Sequence, residues 1–232
     1  MKEAVSLPDI FQCTGKFKQR FKHLPDDELD ILFEGATVKE YGKGELIYME
    51  NTRVKGCFLL YSGAVKIFQT GSEGKEQIIR LGKEGDIFGF RSIIREEPTC
   101  TSVKTLTDCI LCRIPGRSLL QAIALGSAIA RAMIQIACQE LGEANRYIKD
   151  IAQKSVKARL AEILLQIAAD FGLEEDGTLT LSMTREDIGN FVGTATETLI
   201  RLLSDLKNER IIEAKGRRIR LLNIEKLRTL SE

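Results

Sequence analysis

"TREDIGNFVGTATETLIRLLSDLKNERIIE", residues 184–213, holds two short amphipathic patterns that meet at a glycine. Thr184 followed by Asp187, and Thr194 followed by Glu197, both resemble a capping box that starts a helix. Ile188, Phe191 and Val192 fall on the inward face of the first helix, and Leu199, Leu202, Leu203 and Leu206 on that of the second. Gly189 is small where two crossing helices must approach. Gly193 stands where the turn needs a residue tolerant of positive φ. Two helices this short with a glycine-bearing turn form a helix-turn-helix pattern.

The second helix carries Thr196, Glu197, Ile200 and Arg201 on its outward face, because 196/200 and 197/201 are each four apart. Such a face near a helix N-terminus fits the major groove. There Arg bonds guanine O6 and N7, Glu accepts from cytosine N4, and an apolar group meets a thymine methyl. The competing reading is a solvated face on which Glu197 completes a cap and pairs with Arg201, worth about 0.3 kcal/mol. Ile200 favours base reading, since a branched apolar residue among polar neighbours has no packing reason to be exposed.

Outward from this motif, "SVKARLAEILLQIAADFG" (155–172) is a helical block closed by Gly172, a C-cap residue, and a polar loop EEDG follows it. Downstream, "AKGRRIR" (214–220) holds Lys215, Arg217, Arg218 and Arg220 and no acid. A glycine between basic and apolar residues predicts a hairpin, so helices followed by this hairpin describe a winged helix. The wing's charge suits phosphates, although a solvated basic turn has the same composition.

The N-terminal half has a different rhythm. Glycines recur at 42, 44, 56, 63, 71, 74, 82, 85 and 89, and between them lie β-type runs such as CFLLY, AVKIF, QIIRL and DCILCRI. Many short strands between turn residues predict an antiparallel barrel or roll, with GSEGKEQ (71–77) as a hairpin tip. From Ser118 to about Ala152 the period becomes helical. Met133, Ala137, Leu141, Ala144, Ile148 and Ile151 form one narrow apolar stripe. The stripe can pack on its own domain or on a symmetry mate, and its near-heptad spacing favours a dimer seam. The expected architecture is therefore α+β, with a β-roll over 1–117, a dimerisation helix over 118–152 and a winged helix-turn-helix over 153–232.

Bulk properties set limits. Net charge is +1 over 232 residues, so any contact with nucleic acid depends on where charges sit. His23 is the one histidine, which removes HExxH, zinc-finger and Ser-His-Asp readings. With no Walker loop and no clustered carboxylates, no enzyme and no metal site is expected. The start MKEAVSLPDIF lacks an apolar h-region, and no apolar run approaches a membrane span, so a cytoplasmic protein without membrane contact is expected. The six cysteines (13, 57, 100, 109, 112 and 138) do not suggest a disulfide framework there. Cys109-x-x-Cys112 lies in a β-type run, where residues three apart point to opposite faces, so the pair loses its usual chelating geometry. Cys138 adjoins Ala137 of the stripe and is the candidate for an intersubunit disulfide.

"LTLSMTREDIGNFVGTATETLIRLLSDLKNERII" resembles the winged-helix signature of the cyclic-AMP receptor protein/Fnr family of bacterial transcription regulators. EGDIFGF (84–90) falls at that family's GDxxG roll motif, and KSVKARLAEILLQIA matches the helix leading into its DNA-binding domain. The resemblance covers nearly the whole chain. It implies a homodimer on a palindrome in double-stranded DNA, with RNA polymerase as protein partner. By the same resemblance Glu197 and Arg201 read a G·C pair, while Arg185 of the TRxE segment and Thr198 join Lys215 and Arg217 on phosphates. The Fnr branch has Ser where this chain has Ile200, which leaves the outer base pairs of the half-site open.

The resemblance also locates the effector pocket, at Phe90, Arg91, Cys100, Thr101, Ala144 and Asn145. The cyclic-AMP branch needs a Glu for the ribose and an Arg-Ser pair for the phosphate, but Phe90, Cys100 and Thr101 stand there instead. An uncompensated buried phosphate charge costs several kcal/mol, so cyclic AMP is not the expected effector. GFRSI (89–93) resembles the Fnr branch, and Cys112 falls at that branch's internal cluster cysteine. The N-terminal run that supplies the other ligands offers only Cys13, which disfavours a four-cysteine iron–sulfur cluster. Haem on His23 or a cysteine fits the family, as do a thiol- or metal-based sensor using Cys109, Cys112 or Cys138 and a nucleotide-responsive regulator with an atypical pocket. The cofactor is left open.

Overall fold

The computed structural model describes residues 24–232; Cys13 and His23 lie outside them. The chain forms two compact units, one of residues through Gln69 with Leu81–Leu141, the other of Thr70–Arg80 with Gly142–Glu232.

Helix α1 (Asp26–Phe33) opens the first unit. It precedes β1 (Thr37–Tyr41), β2 (Leu46–Tyr48), β3 (Gly56–Ser62), β4 (Val65–Thr70), β5 (Glu76–Gly82), β6 (Ile87–Phe88), helix α2 (Phe90–Arg95), β7 (Ser102–Thr105) and β8 (Cys109–Pro115). The strands form two four-stranded sheets of order β1-β8-β3-β6 and β2-β7-β4-β5, the roll that the glycine-punctuated runs predict. CFLLY is apolar without alternation because both faces of β3 are buried. Cys57 and Leu59 join one apolar cluster with Phe90, Cys112, Ile114, Leu119 and Met133. Phe58 and Leu60 join another with Tyr48, Val65, Ile67, Cys109 and Leu111.

After the roll, the one long helix expected over 118–152 is two, α3 (Gly116–Leu125) and α4 (Ser127–Gln153), bent by 113°. The break falls at Gly126, where an added Cβ would stand 2.4 Å from the carboxyl carbon of Glu28. That carboxylate accepts the Ile129 amide at 2.9 Å, satisfying one of the orphan donors at the start of α4. The expected seam also needs correction. Met133 is 3 % exposed and belongs to the roll's own core, whereas its neighbour Ile134 is 63 % exposed. Ile134, Leu141 and Ile148 are seven apart and all exposed, with Ala137 and Ala144 between them and Ile151 after them, also seven apart.

In the second unit, α5 (Val156–Phe171) starts at Ser155, whose hydroxyl accepts the Ala158 amide at 3.1 Å, and ends at Gly172. Helices α6 (Arg185–Val192) and α7 (Thr196–Asn208), the hairpin β9 (Ile212–Lys215) and β10 (Arg218–Leu221), and α8 (Ile224–Ser231) complete the chain. Leu160, Leu164, Val192, Leu199, Leu206, Ile211, Ile212 and Leu227 are buried. Among the described residues no single helix is long and apolar enough to cross a membrane.

Candidate nucleic-acid interface

Thr184 sets the first helix of the motif. Its hydroxyl accepts the Asp187 amide at 2.9 Å and donates to the Asp187 carboxylate at 2.6 Å, which fixes the direction of α6. Gly193 closes α6 at φ 74° with its amide on the Gly189 carbonyl. A side chain there would be strained by that φ and would also meet Ile151 Cδ1 at 3.2 Å. A Cβ on Gly189 would stand 3.3 Å from the Thr194 carbonyl oxygen, so the two glycines let the helices cross closely.

The second expected capping box is not formed. Ala195, not Thr194, is the N-cap of α7, and no side chain caps it. The Thr194 amide instead bonds the Gly189 carbonyl at 3.0 Å, so position 194 belongs to the closure of α6 and the next helix starts one residue later. Arg159 of α5 holds this turn from behind, with Nε on the Val192 carbonyl at 2.9 Å and Nη1 on the Lys154 carbonyl at 2.8 Å.

Helix α7 is sharply two-sided. Leu199, Leu203 and Leu206 are buried, while Glu197, Arg201 and Ile200 (52 % exposed) face outward. Thr196 and Thr198 are half-buried at the helix start. Since Glu197 is not consumed as a cap, its carboxylate stays on the open face beside Arg201. Ser204 is exposed one turn further along the same face; its spacing of three from Arg201 is the signal that identifies it.

The wing is a two-residue loop, Gly216-Arg217, because Lys215 pairs with Arg218. Gly216 takes φ 57°, as the first position of a tight hairpin loop demands. Half of the wing's positive charge is spent internally. Arg218 pairs with Glu174, and Arg220 pairs with Glu213 at 3.6 Å and donates to the Asp176 carbonyl. Lys215 and Arg217 are exposed and face solvent at the tip. Arg185 is turned toward this loop, its Nη2 donating to the Gly216 carbonyl at 2.7 Å. Burial lowers its guanidinium from the ordinary range, though an arginine remains charged at neutral pH.

Of the effector candidates, Phe90 and Arg91 lie in α2, Cys100 and Thr101 between α2 and β7, and Ala144 and Asn145 in α4. Phe90 is 3 % exposed and packs in the roll core beside Cys57 and Cys112, an apolar ring at the position where a ribose would need a carboxylate. Arg91, Cys100 and Asn145 are exposed, and Thr101 and Ala144 are half-buried. Cys100 and Thr101 supply no cation for a phosphate, so these residues do not fit cyclic AMP. Cys109 and Cys112 lie in different clusters on opposite faces of β8, as strand geometry requires. Burial pushes the Cys57 and Cys112 thiols up to about 12 and raises Cys109 as well. Cys138 is exposed but sits beside the Ile134–Leu141–Ile148 line rather than on it.

Comparison with known proteins agrees with this architecture. Residues 38–125 match the cyclic nucleotide-binding domain and residues 158–230 the Crp-like helix-turn-helix domain. The chain is 28 % identical over 207 residues to electron transport regulator A of Shewanella oneidensis, covering 88 % of this chain and 82 % of that protein. It is 27 % identical over 190 residues to a CRP-like cAMP-activated global transcriptional regulator of Mycobacterium tuberculosis, covering 81 % and 85 %. The structure of FixK2 from Bradyrhizobium japonicum superposes with a TM-score of 0.75 at 29 % identity, covering 85 % of this chain and 98 % of that one. Roll, long helix and winged helix thus occur in the same order and over nearly the same length in proteins that regulate transcription, and the chain is a DNA-binding transcription regulator of the Crp/Fnr family, not an enzyme.

Proposed function

We propose that the chain acts as a homodimer on a palindromic operator, with α7 of each protomer in the major groove. The observation that carries this reading is the sidedness of α7: three leucines are buried, while Glu197, Ile200 and Arg201 stand outward unconsumed by caps or packing. Arg201 suits guanine O6 and N7, Glu197 cytosine N4, and Ile200 a thymine methyl. Lys215 and Arg217 suit backbone phosphates. The exposed heptad line on α4 supports pairing of two copies, since an apolar stripe of that length is otherwise left in water. RNA polymerase is the protein partner that this reading implies, and the DNA fixes the cellular address.

The test is a shift assay on a selected operator. Arg201→Ala should abolish sequence-specific binding while salt-sensitive non-specific binding persists. Full specific affinity in that variant would remove α7 from the groove.

The effector is not cyclic AMP in this reading, because Phe90, Cys100 and Thr101 offer neither the carboxylate nor the cation that ligand needs. A thiol or metal sensor built on Cys109 and Cys112 is not favoured either, since they face opposite sides of a strand and are held as buried thiols.

A further inference from the structure

Both carbonyls of the wing loop are held by the segment that leads into α6. Arg185 donates to the Gly216 carbonyl at 2.7 Å, and the Ser182 hydroxyl donates to the Arg217 carbonyl at 3.5 Å. These bonds span 31 and 35 residues of sequence and hold the loop itself, whereas the body of the hairpin is placed by backbone pairing, the Leu179 amide on the Ile219 carbonyl at 2.8 Å and the Leu221 amide on the Gly177 carbonyl at 2.9 Å. Directly after the loop Arg218 pairs with Glu174, and two residues further along β10 Arg220 donates to the Asp176 carbonyl. Only the tip side chains, Lys215 and Arg217, remain outward.

The Arg185 guanidinium accepts a penalty in this position. Its Nη1 is buried with no hydrogen-bond partner, and an unsatisfied buried donor is unfavourable. A surface arginine at the first position of a helix has easy escapes into water. The capped turn at Thr184 and the bond to Gly216 keep it where it is. Stability alone does not explain that arrangement, but presentation of the wing does.

We propose that Arg185 is a positioning residue for the wing: by holding the Gly216 carbonyl it sets where Lys215 and Arg217 meet the DNA backbone, in addition to any charge it brings itself. The proposal rests on the DNA-binding reading above. A lysine keeps the charge, but its shorter stem ends in a mobile ammonium and does not reproduce the fixed placement of Nη2 on the Gly216 carbonyl.

The experiment compares Arg185→Lys, Arg185→Met and Ser182→Ala with the wild type in the full-length protein. Hydrogen exchange without DNA should accelerate at residues 215–218 in both Arg185 variants and more weakly in Ser182→Ala, with α5 unchanged. Arg185→Met should be at least as thermally stable as the wild type, because it removes an unsatisfied donor. On operator DNA, replacing Lys215 and Arg217 by Ala in the wild type should lower the salt slope of log K by about 4, two contacts in each of two protomers. In the Arg185→Lys background, which keeps the charge count, the same replacement should change the slope by well under 1. Unchanged wing exchange in Arg185→Lys, or additive effects of the two replacements, would overturn the proposal while leaving DNA binding intact. Failure of the wild type to bind any operator would overturn the DNA reading and this proposal together.

Discussion

The Glu28 carboxylate sits 2.9 Å from the Ile129 amide, 101 residues away in sequence, and caps the helix that carries the apolar heptad line. A Cβ on Gly126 would enter the same space, 2.4 Å from the carboxylate. One anion therefore decides both where α3 stops and where α4 begins.

Removing that cap by Glu28→Ala should destabilise the first unit by about 1 kcal/mol, the usual worth of an N-cap. Gly126→Ala should do the same by a different route, since the methyl displaces the carboxylate. The two effects share one interaction, so the double variant should be no worse than either single one. Denaturant midpoints of the four proteins decide it; additive losses would show that Gly126 has a role apart from Glu28.

Neighbouring residues on α4 should behave in opposite ways. Ile134, Leu141 and Ile148 point outward, while Met133 is in the roll core. Leu141→Glu or Ile148→Glu should give a folded monomer by light scattering, with operator affinity reduced. Met133→Ala should instead cost about 2–5 kcal/mol of stability and leave the dimer stoichiometry unchanged. A dimer that survives both glutamate variants would place the seam elsewhere.

These cases show what the sequence makes legible. The helix-turn-helix was readable because its instructions are local: a Thr-to-Asp cap, two glycines with distinct duties, and leucines at helical spacing. The roll followed from turn residues, and the wing from one glycine among basic residues. Met133 and Ile134 could not be separated in that way. Both are apolar, both lie on a helix, and only the packing of the roll says which face is covered. The Thr194-to-Glu197 pair has the form of a cap, but the left-handed closure at Gly193 uses up residue 194. Glu28 and Arg185 act across 101 and 31 residues, distances at which no local pattern exists.

The cysteines should divide by burial. At pH 8 a thiol reagent should modify Cys100 and Cys138 in the native protein, since both are exposed. Cys57, Cys109 and Cys112 should react only on unfolding, because burial raises all three thiols. The same shift has a sign for stability. A thiol whose pKa is about 12 when folded and about 8.5 when unfolded favours the native state fully below pH 8.5. That contribution is lost as the pH rises toward 12, because the unfolded chain then releases protons that the folded one keeps. Replacing Cys57 and Cys112 together by Ala should flatten the decline, and an unaltered slope above pH 9 would assign it to other groups.

Ile200 should read a methyl group, and the size of that effect makes it separable from the work of Arg201. Its side chain is 52 % exposed on the outward face of α7, one residue before Arg201. Burying a single methyl of contact is worth roughly 0.8 kcal/mol, about fourfold in affinity, whereas a bidentate Arg–guanine contact is worth about 1–3 kcal/mol. Replacing thymine by deoxyuracil at one position of each half-site removes the methyl and leaves base pairing intact. The wild type should lose about fourfold per half-site at that position and nowhere else. Ile200→Ser should be indifferent to the same replacement while keeping its preference for the guanine read by Arg201. Equal responses of the two proteins to deoxyuracil at every position would remove Ile200 from the readout and leave its exposure without an explanation in base recognition.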